Sequence, residues 1–212
     1  MAFAGEAFAD SVFVNCPFDS EYLPLLRAML FALVRCGLSP RIATERADSG
    51  EVRYRKIVEL QKACKFSIHD LSRMDEGGAT RLARYNMPFE LGLDFGLRES
   101  GVGPWCNKCC LVFDTESYRY QKALSDLAGH DIKAHANQPE KLVRQVRDWL
   151  VENGRSNVPY GSPLWEDFNI FYAALDANLR AKGLKDVDLD TMTVVDYLRY
   201  VAEFCEAASE TP

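Results

Sequence analysis

A glutamate lies near the start of a largely apolar helical segment, "NMPFELGLDFG", over residues 86–96. In the first turn of the predicted helix, the macrodipole favours the ionised carboxylate of Glu90. Such a carboxylate can act as a nucleophile or stabilise a positive charge that develops on a substrate. Glu90 is therefore the first candidate for a catalytic residue. The structural alternative is a solvated stripe with ion pairing, because Glu90, Asp94 and Arg98 recur at four-residue spacing.

Polar side chains follow two of the predicted strands and supply the other groups that this chemistry needs. Asp70, near the end of "KFSIHDLS", is the candidate for a second acid that binds hydroxyls or transfers a proton. Asp19 is a reserve for that role. The candidates for substrate binding are Asn15, Phe18, Asp19, Ser72, Arg73 and Asn86.

The binding candidates suit different parts of a ligand. The amides of Asn15 and Asn86 could hydrogen-bond hydroxyl or amide groups, and Phe18 and Tyr85 could stack on a planar ring. The guanidinium of Arg73 or Arg84 could hold a phosphate.

Several of these residues also have a structural interpretation. Asp70 could cap the turn that follows its strand. His69 alternates with Asp70 along the strand, so it is expected to face the opposite side of the sheet and to have a structural role. Phe18 and Tyr85 could be packing residues rather than base stackers.

A loose set of thiols and imidazoles raises the question of zinc. Cys106 and Cys109 form a Cys-x2-Cys pair, and His130 and His135 follow at His-x4-His spacing. However, "KCCLVFD" is typical of a strand, in which alternate residues point to opposite faces. We therefore predict no metal site, and buried thiols beside a surface turn.

Up to residue 154 strands alternate with helices, which predicts an α/β fold with a parallel sheet and helices on both faces. The predicted strands lie in residues 11–16, 39–45, 65–72, 108–114 and 130–135. In such folds ligands bind beyond the carboxyl ends of the strands, where the strand order reverses. The catalytic and binding candidates follow those ends.

The composition changes after Gly154, where a turn-rich linker begins. We predict an α/β domain over residues 1–154 and a helical C-terminal extension over residues 155–212. The formal net charge of −6 argues against nucleic acid as a partner, because phosphate binding depends on clustered Lys and Arg. No segment is long and apolar enough to span a membrane. Seven cysteines in a chain without a signal peptide predict reduced thiols in a cytoplasm.

Several common enzyme signatures are absent from the sequence. It has no Walker-type phosphate loop, no Gly-x-Gly-x-x-Gly and no Gly-x-Ser-x-Gly elbow, which argues against ATPases, dehydrogenases and serine hydrolases. A metal-dependent nuclease would need a cluster of acids, and Asp70, Asp75 and Glu76 do not form a convincing one.

Three of these motifs together resemble the nucleoside 2-deoxyribosyltransferase family and the related TIR domains. They are the strand that ends in "NCPF", the strand that ends in Asp-Leu at Asp70, and the "ELG" helix start at Glu90. The resemblance covers residues 11–150 and implies a flavodoxin-like fold. It implies that Glu90 is the nucleophile of a transferase, or the glutamate that supports NAD hydrolysis in an enzymatic TIR domain. The string here is "ELGLDFG", whereas the transferases have a pattern similar to "ELGYA".

The sequence and the resemblance together predict cleavage or transfer at an N-glycosidic bond of a nucleotide-like substrate. The resemblance implies NAD or a nucleoside as substrate, no further cofactor, and a role such as TIR proteins have in bacterial antiphage defence. It also implies a homo-oligomer, formed through the helical extension or the α/β domain. The alternative is a non-catalytic nucleotide sensor or self-associating interaction module of the same fold.

Overall fold

The computed structural model describes residues 7–74 and 85–209. Arg84, one of the two predicted phosphate-binding residues, lies outside the described residues. The same is true of the acids Asp75 and Glu76.

Within the described residues the chain forms two compact units. The first, called the sheet unit below, contains the residues up to Pro17 together with Ser39–Asn137. The second, the helical unit, contains Phe18–Leu38 and the residues from Gln138 onward. This division differs from the predicted one at residue 154, because the helix after the first strand clusters with the C-terminal helices.

The sheet unit is built on parallel strands. The described strands are β1 Ser11–Asn15, β2 Ser39–Ile42, β3 Phe66–Asp70, β4 Cys109–Asp114 and β5 Lys133–Ala134. Their order is β2-β1-β3-β4-β5, and every neighbouring pair is parallel. Every residue of β1 and β3 is buried, as expected for central strands of a parallel sheet. This is a flavodoxin-like strand order, and it confirms the predicted α/β class and parallel sheet.

Helices connect the strands and continue to the end of the described chain. The α-helices are α1 Leu23–Arg35, α2 Arg53–Ala63, α3 Asn86–Glu99, α4 Pro139–Glu152, α5 Gly161–Ala181, α6 Asp186–Asp190 and α7 Val194–Ser209. Of these, α2 and α3 belong to the sheet unit, where they pack against each other and both contact β1. The predicted C-terminal helical region is confirmed.

The start of α3 differs from the predicted one in a way that matters for Glu90. The helix begins at Asn86, so Glu90 is its fifth residue, and the first turn contains no acidic residue. The macrodipole acts mainly within the first turn of a helix. The prediction that Glu90 is a first-turn charge is therefore wrong.

The helical unit has an apolar core around α1. This helix packs against α4, α5 and α7, and its residues 25–33 are all buried. Phe31 contacts three aromatic rings of the C-terminal helices, those of Phe168, Phe171 and Phe204. A helix that is buried on most sides needs such neighbours, which explains why α1 clusters with the C-terminal helices. Among the described helices, none has the length and hydropathy needed to cross a membrane.

We expect Leu60→Ala to lower the free energy of unfolding by about 2–5 kcal/mol, because it opens a cavity in the core beneath α2. Denaturant titration measures the loss. Val52→Ala, at an exposed side chain one residue before α2, is the control and should change stability by less than about 0.5 kcal/mol. Losses of equal size in the two variants would contradict this packing.

Candidate active site

The carboxyl ends of β1 and β3 lie side by side where the strand order reverses, which is where flavodoxin-like folds bind ligands. Asn15 ends β1, and its register partner in β3 is His69. The amide nitrogen of the Asn15 side chain lies 3.1 Å from His69 Nδ1 and donates to the Met87 carbonyl oxygen at 3.1 Å. Asn15 thereby joins the end of β1 to the first turn of α3. Both amide hydrogens of Asn15 thus have partners, and Asn15 itself does not line the pocket that contains Glu90.

Two acidic side chains of α3, those of Glu90 and Asp94, are buried. The interpretation of Glu90, Asp94 and Arg98 as a solvated stripe is therefore wrong. Asp94 Oδ2 lies 3.2 Å from His69 Nε2, and Asp94 Oδ1 lies 3.1 Å from the Lys108 ammonium. Asp94 is thus the centre of a buried polar network.

Both charged groups of the Asp94–Lys108 pair have further hydrogen-bond partners that offset the cost of burying them. Lys108 Nζ also donates to the carbonyl oxygens of Gln61 and Cys64, at 2.8 Å and 2.6 Å. Burial alone would raise the pKa of Asp94, but the hydrogen bond from His69 and the charge of the Lys108 ammonium outweigh it. The pKa of Asp94 is consequently below its ordinary value, and the carboxylate is ionised at neutral pH.

One group of potential metal ligands lies in the same network. His69, Asp94 and Cys110 bring ligand atoms within 4.8 Å of one another. Lys108 already supplies the positive charge that faces Asp94. Burial raises the pKa of the Cys110 thiol to about 12, which disfavours the thiolate that a metal would need. These features favour a charge-balanced hydrogen-bond network over a metal centre.

Glu90 lies in the wall of a pocket of about 160 Å³ between α2 and α3. The lining residues are Arg53, Tyr54, Ile57, Asn86, Phe89, Glu90 and Leu93. The rings of Tyr54 and Phe89 are exposed, and their centroids are 6.3 Å apart. Aromatic faces beside a carboxylate suit a planar ring that is attached to a sugar.

The Glu90 carboxylate is subject to burial and to one nearby cation. Arg53 Nη2 lies 3.5 Å from Glu90 Oε1, and the arginine side chain is exposed. Burial raises the pKa of Glu90, and the positive charge of Arg53 opposes this only in part. Carboxylates with such perturbed pKa values concentrate at functional sites, although structural ion pairs also shift pKa values.

Asp70 belongs to a different set of contacts. One carboxylate oxygen accepts the Ser72 backbone N–H at 2.8 Å, and the other lies 3.1 Å from His135 Nε2. Because His69 contacts α3, alternation along β3 directs Asp70 to the opposite face of the sheet, as predicted. Asp70 does not line the Glu90 pocket. Its role as a second acid stays a prediction.

The other predicted residues of the sheet unit are placed differently with respect to the pocket. Asn86, the first residue of α3, lines the pocket together with Glu90. Ser72 is buried, and its hydroxyl has no hydrogen-bond partner among the described residues. Arg73 is half-buried and does not line the pocket. The structure thus brings Asn86 and Glu90 together.

Phe18 and Asp19 belong to the helical unit. The Phe18 ring is exposed, and Asp19 Oδ1 accepts the backbone N–H of Tyr22 at 3.1 Å. This hydrogen bond gives Asp19 a local role in the turn before α1. Contact of Phe18 or Asp19 with a substrate stays a prediction.

The four candidate zinc ligands do not form a cluster of ligand atoms within the described part of the chain. Cys106 and Cys109 bond to carbonyl oxygens of their own loop. His130 stacks on a phenylalanine of α3, and His135 contacts Asp70. Cys106 is exposed and Cys109 is half-buried, so the expectation of buried thiols at this turn is wrong.

The α2 residues that complete the pocket are absent from the predicted set. Arg53 and Tyr54 lie on the polar side of α2, which in a sequence pattern is typical of a solvent-facing surface. Phe89 looks like a core residue of an apolar helix. Only the packing of α2 against α3 brings these side chains together, and a single sequence contains no signal for that contact.

Comparison with known proteins leaves the family open, because no family model, curated protein or solved structure matches the chain. The resemblance to deoxyribosyltransferases and TIR domains stays a prediction. Function is therefore inferred from the geometry of the Glu90 pocket.

Asp94→Asn is expected to lower the free energy of unfolding by about 3–5 kcal/mol, because it leaves the buried Lys108 ammonium without a counter-charge. Denaturant titration at neutral pH measures this loss. Glu99→Gln removes an exposed carboxylate from the same helix and should change stability by less than about 1 kcal/mol. A loss in Asp94→Asn no larger than that in Glu99→Gln would contradict a buried ion pair.

Glu90→Gln is expected to stabilise the folded protein at neutral pH, because it removes a charge whose burial is only partly compensated. With its raised pKa, folded Glu90 keeps its proton to a higher pH than the unfolded chain does. Wild-type stability therefore falls as pH rises from the ordinary value of 4.5 through the raised pKa. The advantage of the variant should appear above that interval and vanish below it in thermal unfolding at several pH values. A variant less stable than the wild type at neutral pH would mean that Arg53 compensates burial fully.

Proposed function

We propose that this protein cleaves or transfers the N-glycosidic bond of a nucleotide-like substrate, with Glu90 as nucleophile or charge-stabilising carboxylate. The observation that carries the proposal is the place of Glu90, whose side chain is 6% exposed in the wall of a pocket with two aromatic rings. Breaking the bond develops positive charge on the ribose. A carboxylate beside the anomeric carbon stabilises that charge or forms a covalent intermediate.

The other pocket residues suit the parts of a nucleotide. Tyr54 and Phe89 offer ring faces to a base, and Asn86 offers an amide to a ribose hydroxyl. Arg53 offers a guanidinium to a phosphate. Arg53 is a better candidate for this contact than Arg73, because Arg53 lines the pocket.

The leaving group is the feature that separates NAD hydrolysis from deoxyribosyl transfer. Glu90 is the single carboxylate among the described residues that line the pocket, so no second carboxylic acid there can protonate a leaving base. A purine or pyrimidine base leaves readily only with help from a general acid. Nicotinamide is different, because its ring nitrogen already carries a positive charge in NAD and the base departs as a neutral molecule. The single carboxylate therefore supports NAD as the substrate.

The size of the pocket limits how such a substrate binds. Pockets for drug-sized ligands enclose about 300–1,000 Å³, and this pocket encloses about 160 Å³. A cavity of about 150 Å³ holds one six-membered ring. The pocket thus takes the reacting ring, and the rest of a dinucleotide would lie along the surface.

A non-catalytic nucleotide sensor is the second candidate, and one contact favours it. Arg53 Nη2 lies 3.5 Å from Glu90 Oε1. This ion pair engages the carboxylate unless a substrate phosphate binds the guanidinium instead. In a sensor the pair would persist, and a nucleotide would bind without release of its base.

Self-association is a further part of the proposal, as the resemblance to TIR domains implies. The helical unit exposes large apolar side chains that could serve such a contact, among them Tyr160, Ile170 and Val187. An enzyme that needs assembly would release base only at high protein concentration. A cytoplasmic role in antiphage defence fits this mode of activation.

Glu90→Gln should abolish base release while the fold is retained, because the amide can neither attack the sugar nor stabilise its charge. The wild-type chain at high concentration is incubated with NAD and, separately, with deoxynucleosides, and free base is measured by chromatography. We expect nicotinamide from NAD and no base from deoxynucleosides. Glu99→Gln, on the exposed side of the same helix, should keep wild-type activity.

Two results would change this assignment. A fully active Glu90→Gln variant would refute the catalytic role of Glu90. A wild-type chain that releases no base, but whose melting temperature rises with NAD, would favour the sensor.

A further inference from the structure

We infer that Asn15 and His69 are positioning residues for Glu90 and that Asn15 and Asp94 together hold the His69 ring in a single tautomer. This inference rests on the proposed function. Neither Asn15 nor His69 lines the pocket. They form a buried layer behind it that would hold the α3 backbone near Glu90 in place.

The orientation of the Asn15 amide follows from its contact with α3. Its nitrogen lies 3.1 Å from the Met87 carbonyl oxygen, which can only accept a hydrogen bond. The group that faces Met87 is therefore the NH2 group, and the same nitrogen lies 3.1 Å from His69 Nδ1. His69 Nδ1 must accept the second amide hydrogen, so it carries no proton.

The proton of the His69 imidazole is consequently on Nε2. This nitrogen lies 3.2 Å from Asp94 Oδ2, and the ionised carboxylate accepts a hydrogen bond from it. A chain of donors and acceptors then leads from Lys108 through Asp94 and His69 to Asn15, and from there to the Met87 carbonyl. The four side chains of this chain belong to residues that are at most 5% exposed, so water does not compete for their hydrogen bonds.

A second amide holds α3 close to Glu90 itself. The side-chain Nε2 of Gln61 donates to the main-chain carbonyl oxygen of Glu90 at 2.7 Å. The main-chain carbonyl oxygen of Gln61 accepts a hydrogen bond from Lys108 Nζ at 2.8 Å. The carbonyls of Met87 and Glu90 are three residues apart, so the two amides bind neighbouring positions on one side of the helix. The Glu90 backbone is thus fixed from the core while its carboxylate faces the pocket.

Such fixation matters because covalent attack requires reacting atoms to lie about 3–3.5 Å apart, and a 1 Å misplacement can cost about 100-fold in rate. If His69 Nδ1 carried a proton, two hydrogen-bond donors, Nδ1 and the NH2 group of Asn15, would face each other. The contact of Asn15 with Met87 would then break, and the first turn of α3 would lose its link to β1.

Asn15→Asp tests this chain of contacts directly. The new carboxylate would accept a hydrogen bond from a protonated His69 Nδ1 and repel the Met87 carbonyl oxygen. We expect kcat for base release to fall about 100-fold with a smaller change in KM, and amide hydrogen exchange in the first two turns of α3 to accelerate. Asn107→Asp adds the same charge at an exposed position of the sheet unit and should leave both unchanged.

Nitrogen-15 NMR of the imidazoles reports the tautomer without reference to activity. The chain has three histidines, and His69→Gln identifies the signal of His69. Wild-type His69 should carry its proton on Nε2 alone, whereas Asn15→Asp should show both nitrogens protonated. His130 provides a contrast in the same spectrum, because its Nδ1 lies 3.1 Å from the Leu127 carbonyl oxygen and therefore donates.

Each outcome decides the inference. A wild-type His69 with its proton on Nδ1 would overturn it, as would an Asn15→Asp variant with wild-type kcat. If the wild type releases no base, the proposed function fails, and unchanged α3 exchange in Asn15→Asp would separately refute the positioning role. If Asn15→Asp does not fold, the tautomer of wild-type His69 remains the deciding measurement.

Discussion

The ion pair between Asp94 and Lys108 determines where α3 lies, since the two side chains are each 1% exposed and their charged atoms are 3.1 Å apart. Moving two ions out of water costs several kcal/mol per ion, and attraction between them repays this only when the remaining polar atoms have partners. Here the ammonium reaches two carbonyl oxygens at the end of α2, and the carboxylate reaches His69 in β3. One pair therefore joins α2, α3, β3 and the residue before β4. The pocket between α2 and α3 depends on that junction.

Two carboxylates one turn apart on α3 show how position decides chemistry. The pKa of Asp94 is lowered and that of Glu90 is raised, although both side chains are buried. The difference lies in their partners, because Asp94 faces a buried ammonium and an imidazole, whereas Glu90 faces an exposed arginine. Environments that separate the pKa values of neighbouring acids are typical of sites where the acids have different roles. In this helix Asp94 stabilises the structure, and Glu90 is the residue for which we propose the reactive role.

The strands and the class of fold could be predicted because they depend on local patterns. Short β-branched runs that alternate with helical segments indicate a parallel sheet, and β1 and β3 lie within a residue or two of the predicted ranges. Glu90 could also be selected from the sequence as a candidate site residue, because a charged residue is unusual in an apolar helical segment. The pairing of Asp94 with Lys108 could not be predicted, because the four-residue spacing of Glu90, Asp94 and Arg98 fits a solvated stripe as well as a buried network. The pairing of Arg53 with Glu90 depends on the packing of two helices that are far apart in sequence, and no local pattern encodes it.

The membership of α1 in the helical unit has a consequence for synthesis of the chain. Residues 23–35 are made early, whereas two of the helices against which α1 packs, α5 and α7, begin only at Gly161 and Val194. At typical elongation rates that delay is on the order of ten seconds. During this time a helix with nine consecutive buried residues in the finished protein has no complete set of neighbours. A fragment ending at residue 154 would keep α4 as a neighbour of α1 but would leave exposed the apolar side chains of α1 that α5 and α7 cover.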